Sequence, residues 1–337
     1  MRLATYNVEW FANLFDDKDN LLVDDRWSGR YNVTRAAQIE ALGKVFAAID
    51  ADAVMVIEAP NSGRQQSTVR ALERFAAAFD LRTSKALIGF PNDTQQEIAL
   101  LYDPDALDVR HDPLGSLTGK KGSGDAPRFD GTFRIDLDID ATEDLVRFSK
   151  PPLELALRTA AGKEIRLIGA HLKSKAPHGA RTDDQVMRLS IANRRKQLAQ
   201  AIWLRQRIEA HQSQGDSLIL MGDLNDGPGL DEYERLFGRS SVEILLGDTL
   251  LDPHAKAALS QRFGVRYATA RFERPGGERF LQALLDYIMI SLDLMDRGPV
   301  WRIWHPFDDA ECWQIPELRE ALLTASDHFP VTLDIDI

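Results

Sequence analysis

The chain has 337 residues, 44% of them apolar, enough to close one large core, and its single cysteine, Cys312, excludes an intramolecular disulfide and a cysteine metal cluster. A net charge of −11 argues against a tight, non-specific grip on duplex nucleic acid, which needs a basic face, although local basic patches would suffice for a nuclease. No apolar stretch reaches transmembrane length and no signal-like segment precedes the first strand, so a soluble, cytoplasmic, monomeric protein without a membrane span is expected.

Residues 1–8 predict a strand that runs into Asn7-Val8-Glu9-Trp10. A polar, Asp-rich segment over 15–31 reads as an addition to a minimal core. Thr34 to Ile49 predicts an amphipathic helix, with Ile39, Leu42, Val45, Phe46 and Ile49 at helical spacing. The apolar run from Ala53 to Ile57 predicts a strand ending in Glu58, and Ser67 to Phe79 predicts a second helix. Gln96 and Glu97 precede the apolar run Ile98 to Tyr102. Residues 112–131 hold five Gly, two Pro and the basic step Gly119-Lys120-Lys121-Gly122, and predict an added, mobile loop.

A strand from Ile165 to Ala170 ends in His171-Leu172-Lys173-Ser174-Lys175. The longest helix is expected from Asp183 to about His211, with Leu189, Leu198, Ile202 and Leu204 among its apolar residues and Arg194, Arg195 and Lys196 decorating its surface. Ser217 to Met221 is apolar enough for a strand covered on both faces, and it feeds into Gly222-Asp223-Leu224-Asn225-Asp226. Alternate residues of an extended segment point the same way, so Asp223 and Asn225 are expected on one face, about 6–7 Å apart. Gly, Asp and Asn also form turns, and the string alone does not decide. Leu284 to Ile290 carries Asp286 near its start; residues 301–323, with Trp301, Trp304 and Trp313, read as a third addition; Ser326-Asp327-His328-Phe329-Pro330-Val331 opens the last strand.

Helices and strands mixed along the whole length favour an α/β layered domain. Six strands each carry a polar, metal-competent or proton-competent residue at an end. Such residues act together only if they meet in space, so a single domain over 1–337 is expected, with additions near 15–31, 112–131 and 301–323.

Taken in order, Tyr6-Asn7-Val8-Glu9, Ile57-Glu58, Gly169-Ala170-His171-Leu172, Gly222-Asp223-Leu224-Asn225, Leu285-Asp286-Tyr287 and Ser326-Asp327-His328 resemble the motifs of the endonuclease/exonuclease/phosphatase superfamily, the deoxyribonuclease I-like fold. The resemblance covers residue 1 to about 335. It implies a four-layered α-β-β-α sandwich, two packed mixed sheets flanked by helices, and divalent-metal-dependent hydrolysis of phosphate esters. Some family features are missing. Leu284 stands two residues before Asp286, where relatives often carry Arg, and no inositol-phosphatase signature lies near Asp286. The aromatic-and-Arg segment of abasic-site endonucleases is not recognised upstream of Asp286 either.

Glu58 and Asp327 are the leading candidates to hold a metal, with Asn7 and Glu9 nearby; oxygen donors without thiolates suit Mg²⁺ or Mn²⁺. The resemblance implies that Asp286 holds His328 by a hydrogen bond, and a carboxylate partner raises a histidine's pKa and fixes its ring. Asp223 is the candidate to orient the attacking water and Asn225 to contact the phosphate; whether Asp223 or His328 is the formal base stays open. His171 resembles the family's second active-site histidine, a candidate for a phosphate oxygen or the leaving group, with Gln96 or Glu97 as its support. Lys173, Lys175 and Arg181 form a basic loop around Pro177-His178-Gly179, suited to binding a phosphate-ester substrate. The expected function is a nuclease. The alternative is a hydrolase of a small or lipid-linked phosphate, favoured by net acidity and Leu284; the intact polar set speaks against a non-catalytic scaffold.

Overall fold

A computed structural model describes residues 1–92, 96–137, 143–177, 179–227, 238–260, 267–273 and 280–337. One six-stranded sheet contains β1 (Arg2–Asn7), β2 (Ala53–Ala59), β3 (Lys85–Ile88), β4 (Glu97–Tyr102), β15 (Val300–Ile303) and β16 (Val331–Asp334), in the order β15-β16-β1-β2-β4-β3. The other contains β5 (Leu107–His111), β8 (Leu153–Thr159), β9 (Glu164–His171), β10 (Leu218–Asp223), β11 (Leu250–Leu251) and β14 (Asp286–Ser291), in the order β11-β14-β10-β9-β8-β5. Two hairpins stand apart, β6 (Phe133–Ile135) with β7 (Asp144–Val146) and β12 (Ala270–Glu273) with β13 (Phe280–Ala283).

Both sheets are mixed. β1 runs parallel to β2 and β9 parallel to β10, while the other pairings are antiparallel. The strands are apolar on both faces because each sheet is covered twice. In β2, Met55 and Ile57 face the other sheet, where they meet Ile219 and Met221 of β10 and Ile288 and Ile290 of β14. The alternate residues Val54 and Val56 pack instead with Leu42 and Phe46 of helix α1 (Arg35–Ile49), Phe75 of α2 (Thr68–Ala78) and Leu322 of α7 (Pro316–Ala325). On the far side, Leu218 and Leu220 of β10 pack with Trp203 and Leu204 of α3 (Asp183–Ser213) and Val242 and Leu245 of α4 (Ser241–Leu246). Ala255 of α5 (Pro253–Ser260) joins this outer layer. The four-layered sandwich implied by the resemblance is therefore the fold.

The helices begin where the sequence supplies caps. Thr34, Ser67 and Thr182 each accept a backbone N–H of the first turn, and Ser240 with Glu243 forms a capping box. Leu189, expected on the apolar side of α3, is exposed, because the helix outruns the sheet it covers. Among the described residues no helix is long and apolar enough to cross a membrane.

Two expected additions are tied to the core. Residues 301–323 begin in edge strand β15, paired with β16, continue through α6 (Ala310–Gln314) and end in α7 against α1. Residues 112–131 are not a mobile loop throughout: Phe129 is buried beside Trp203, whose indole N–H donates to the Pro127 carbonyl at 2.8 Å. Glycine frequency signals turn geometry and does not report these distant anchors.

Gly222 is required for a local reason. Its φ is 137°, and a Cβ there would lie 2.0 Å from the Ala170 carbonyl oxygen of the neighbouring strand. Gly222→Ala is expected to destabilise the fold by about 1–3 kcal/mol, the scale of a forced backbone conformation. The check is the midpoint of urea unfolding; an unshifted midpoint would show that β10 relaxes without cost.

Candidate active site

The sheet topology brings the polar strand ends together. The two parallel pairs put the carboxyl ends of β1, β2, β9 and β10 at one end of the sandwich. Asp223 is in register with His171 on one side and with Asp286 on the other, and Asn7 is in register with Ile57, next to Glu58. These ends open into a cavity of about 920 Å³, whose lining includes Asn7, Glu9, Glu58, His171, Asp223, Asn225, Asp327 and His328. A bulge and a left-handed backbone at Glu58 (φ 61°) take its side chain out of the strand alternation.

Asp223 is buried and held on both oxygens. Asn7 Nδ2 donates to Oδ2 at 2.9 Å, and the Asn225 backbone N–H donates to Oδ1 at 2.7 Å. The extended geometry expected for Asp223 and Asn225 does not hold. β10 ends at Asp223 and Asn225 is left-handed (φ 50°), so the pair meets through a turn-type hydrogen bond. Burial and the charge of Asp286 push the Asp223 carboxyl up to about 7.

His328 Nδ1 lies 2.7 Å from Asp286 Oδ2, the dyad that the resemblance implies. Burial disfavours the imidazolium, but the charge and hydrogen bond of Asp286, with Asp223 and Asp327 beyond, raise its pKa well above the ordinary value. Thr269, overlooked in the sequence, donates its hydroxyl to the same Asp286 oxygen at 2.8 Å. Asp286 Oδ1 and Asn7 Oδ1 are buried and have no hydrogen-bond partner among the described residues.

His171 is governed by a residue that the sequence reading missed. Lys150 Nζ lies 3.2 Å from His171 Nδ1 and donates to Gln96 Oε1 at 2.7 Å; Gln96 Nε2 in turn donates to Glu58 Oε2 at 2.6 Å. An ammonium has only donors, so Nδ1 must accept and the ring proton sits on Nε2, 3.7 Å from Asp223 Oδ2. Burial and then the Lys150 charge hold the His171 pKa well below its usual value. Gln96 thus reaches His171 only through Lys150, while Glu97 pairs with Asn92. The signal for Lys150 was faint: one basic residue before Pro151-Pro152, in a stretch without periodicity.

The basic loop divides. Lys173 and Lys175 line the cavity, but Lys175 is in contact with the buried Asp226, and Arg181 is exposed and absent from the lining. His178 lies outside the described residues. Arg194, expected on the surface of α3, is buried 3.6 Å from the same Asp226, because α3 packs this turn over the end of β10. Upstream of Asp286, Arg271 of β12 stacks 3.2 Å over the Phe280 ring of β13, and Phe272 meets the His328 ring edge-on with centroids 5.6 Å apart.

A hard cation fits the acidic side of the cavity. Burial, then the nearby charge of Asp327, lifts Glu9 to about 7, and burial raises Glu58, with Asp327 adding to it. A bound cation would remove that repulsion and occupy the orphaned Asn7 Oδ1. Asp223, Asp286 and His328 also offer ligand atoms within 4.8 Å of one another. Asp286 and His328 are already paired, however, and an imidazole suits Mg²⁺ less well than oxygen.

The endonuclease/exonuclease/phosphatase family matches residues 4–328. Among solved structures, an AP endonuclease from Archaeoglobus fulgidus superposes with a TM-score of 0.52 at 12% identity, over 100% of both chains. The 3′ phosphatase NExo from Neisseria, bound to a product DNA hairpin, gives 0.51 at 14% identity, again over 100% of both chains. A mannosyl-6-phosphatase from Bacteroides thetaiotaomicron gives the same three values. At these identities the likeness shows the fold alone. No curated protein matches the chain in sequence.

Proposed function

Because the chain belongs to the endonuclease/exonuclease/phosphatase family, and is thus a metal-dependent phosphoester hydrolase, we propose that it is a Mg²⁺- or Mn²⁺-dependent phosphodiesterase that cuts a nucleic-acid strand. Glu58, Asp327 and Asn7, with Glu9 beside them, would hold the ion. When bound, it supplies Lewis-acid polarisation of the phosphoryl oxygen and offsets charge on the leaving oxygen. Asp223, fixed by Asn7 and Asn225, orients the attacking water and takes its proton. The protonated His328, held by Asp286, faces the phosphate as a cation, and Asn225 contacts one of its oxygens. His171, kept neutral by Lys150, offers Nε2–H to an oxygen of the reacting group.

The observation that carries the nucleic-acid reading is the cavity wall. Lys150 and Lys173 supply positive charge inside, while Trp10 on one rim and Phe272 and Leu281 on the other present flat or apolar surfaces. Nucleobases stack on such groups, and a bare sugar phosphate has no use for them. The second reading, a hydrolase of a small phosphate ester, gains from the same wall, since Lys175 is committed to Asp226 and Arg181 points elsewhere.

A panel of plasmid DNA, single-stranded DNA, RNA, bis(p-nitrophenyl) phosphate and a sugar monophosphate separates them. The expected result is kcat/KM for a polynucleotide at least about 10²-fold above the small esters, because contacts away from the reacting centre add binding energy. Turnover of the monophosphate with every polynucleotide left intact would establish the second reading instead. In this reading residues 1–337 form one domain, and its six motifs serve one site.

A further inference from the structure

A second cavity, of about 680 Å³, opens between the hairpin β6–β7 and helix α3. Among the described residues four cations line it, Lys120, Arg147, Arg195 and Lys196, against one acid, Asp144. Arg195 Nη2 donates to Asp144 Oδ2 at 2.9 Å, which offsets one of the four. Arg147 is anchored through Nε on Thr132 Oγ1 at 2.7 Å, so its guanidinium is held in place on the wall. Lys196, expected to sit on the outer surface of α3, is half-buried instead. In a chain of net charge −11, such a local excess of positive charge draws in anions.

A hydrogen bond joins the walls of the two cavities. Lys196 Nζ donates to Ser149 Oγ at 3.3 Å, and Ser149, next to Lys150, lines the active cavity. Burial and then the charge of Lys173 lower the pKa of Lys196, so two ammonium groups are kept close enough to oppose each other. A polyanion lying across both would relieve that repulsion. Apart from Thr132, the remaining wall is apolar: Leu145 is 55% exposed and stands beside Val146. A bare phosphate would leave this surface wasted, whereas a base would cover it. The volume also falls in the roughly 300–1,000 Å³ range of small-molecule sites.

We propose that this cavity holds an unpaired nucleotide of the strand whose phosphodiester is cut in the neighbouring active cavity, its phosphate against Lys196 and Arg147, and its base against Leu145 and Val146. The inference rests on the nucleic-acid reading of the active site and adds that the strand is single at this position. Lys120, on the exposed Gly119-Lys120-Lys121-Gly122 turn, supplies the outer phosphate contact.

The test is fluorescence anisotropy of the full chain with a fluorescein-labelled single-stranded DNA 12-mer, in excess chelator so that no turnover intervenes, over a range of NaCl concentrations. Lys120→Ala/Arg147→Ala/Lys196→Ala is expected to raise Kd at least about tenfold and to flatten the logarithmic salt slope by about 1.4, since the three cations meet two phosphates and each phosphate contact on a single strand contributes about 0.7. Leu145→Ala is expected to raise Kd about threefold with the slope unchanged, because it removes contact with a base and no charge. The charge-matched control Lys44→Ala/Lys85→Ala/Arg158→Ala, on other surfaces, is expected to bind within about twofold of wild type at physiological salt. Equal losses in the two triple variants, an unaltered Kd in the cavity variant or in Leu145→Ala, or no binding by wild type would each overturn the proposal. If wild type also cuts the strand, only the subsite fails. If it turns over small esters and leaves all polynucleotides intact, the nuclease reading fails as well.

Discussion

Chelation of divalent cations is expected to abolish turnover, and Mg²⁺ or Mn²⁺ to restore it. Glu9, Glu58 and Asp327 face one cavity, and the buried Asn7 Oδ1 beside them has no hydrogen-bond partner among the described residues. Burial and the charge of Asp327 raise the Glu9 pKa despite Arg30 beside it, and burial raises that of Glu58 despite Lys150. A carboxylate that must ionise to bind a metal makes binding pH-dependent and proton-releasing. Glu58→Gln keeps the side-chain shape and its place on the β2 bulge, so the fold should persist while metal affinity falls about tenfold or more. Calorimetric titration with Mn²⁺ reads that loss without recourse to activity. Full turnover in excess chelator, with elemental analysis finding no retained metal, would refute the metal site.

Asp223→Asn and His328→Ala are each expected to lower kcat at least about 10²-fold, the usual scale for a general acid or base. Both side chains are buried, and each is held by partners that make no other sense as surface decoration. Asn7 and Asn225 fix Asp223; Asp286, itself held by Thr269, fixes His328. The two groups also sense each other's charge, so they are expected to act in one step. A double variant should then lose far less than the product of the single losses. Two losses that simply multiply would assign the residues to independent steps, and a single variant at near wild-type rate would remove that residue from the mechanism. Asp286→Asn should resemble His328→Ala in kcat while leaving KM for a small diester nearly unchanged, because Asp286 holds His328 and tunes the charge of Asp223 without itself binding the substrate.

Much of this was written locally in the chain. Strands apolar at every position, such as Leu218 to Met221, can be stable only between two covering layers, which points to a layered α/β domain; the two stacked sheets with helices outside are what the family resemblance implies. Polar residues placed just where those apolar runs stop mark a sheet end as the place where chemistry gathers. Thr34, Ser67 and Thr182 announce their helices by the first-turn N–H groups they satisfy. An oxygen-rich candidate set with no cysteine selects a hard cation before any geometry is known.

What only the tertiary structure decided are the pairings between charges far apart in sequence. Lys150 enters the site because β8 returns the chain beside β9, bringing it to His171 across 21 positions. Lys175 is drawn to Asp226, whose burial demands a cation, and Arg181, a few residues on, is left outside. Arg194 and Lys196 leave the surface because α3 turns those positions toward the end of β10 and the hairpin β6–β7. Periodicity records which face of an element is buried. It is silent on which neighbour covers that face, and the partner of a charged side chain is set by that neighbour.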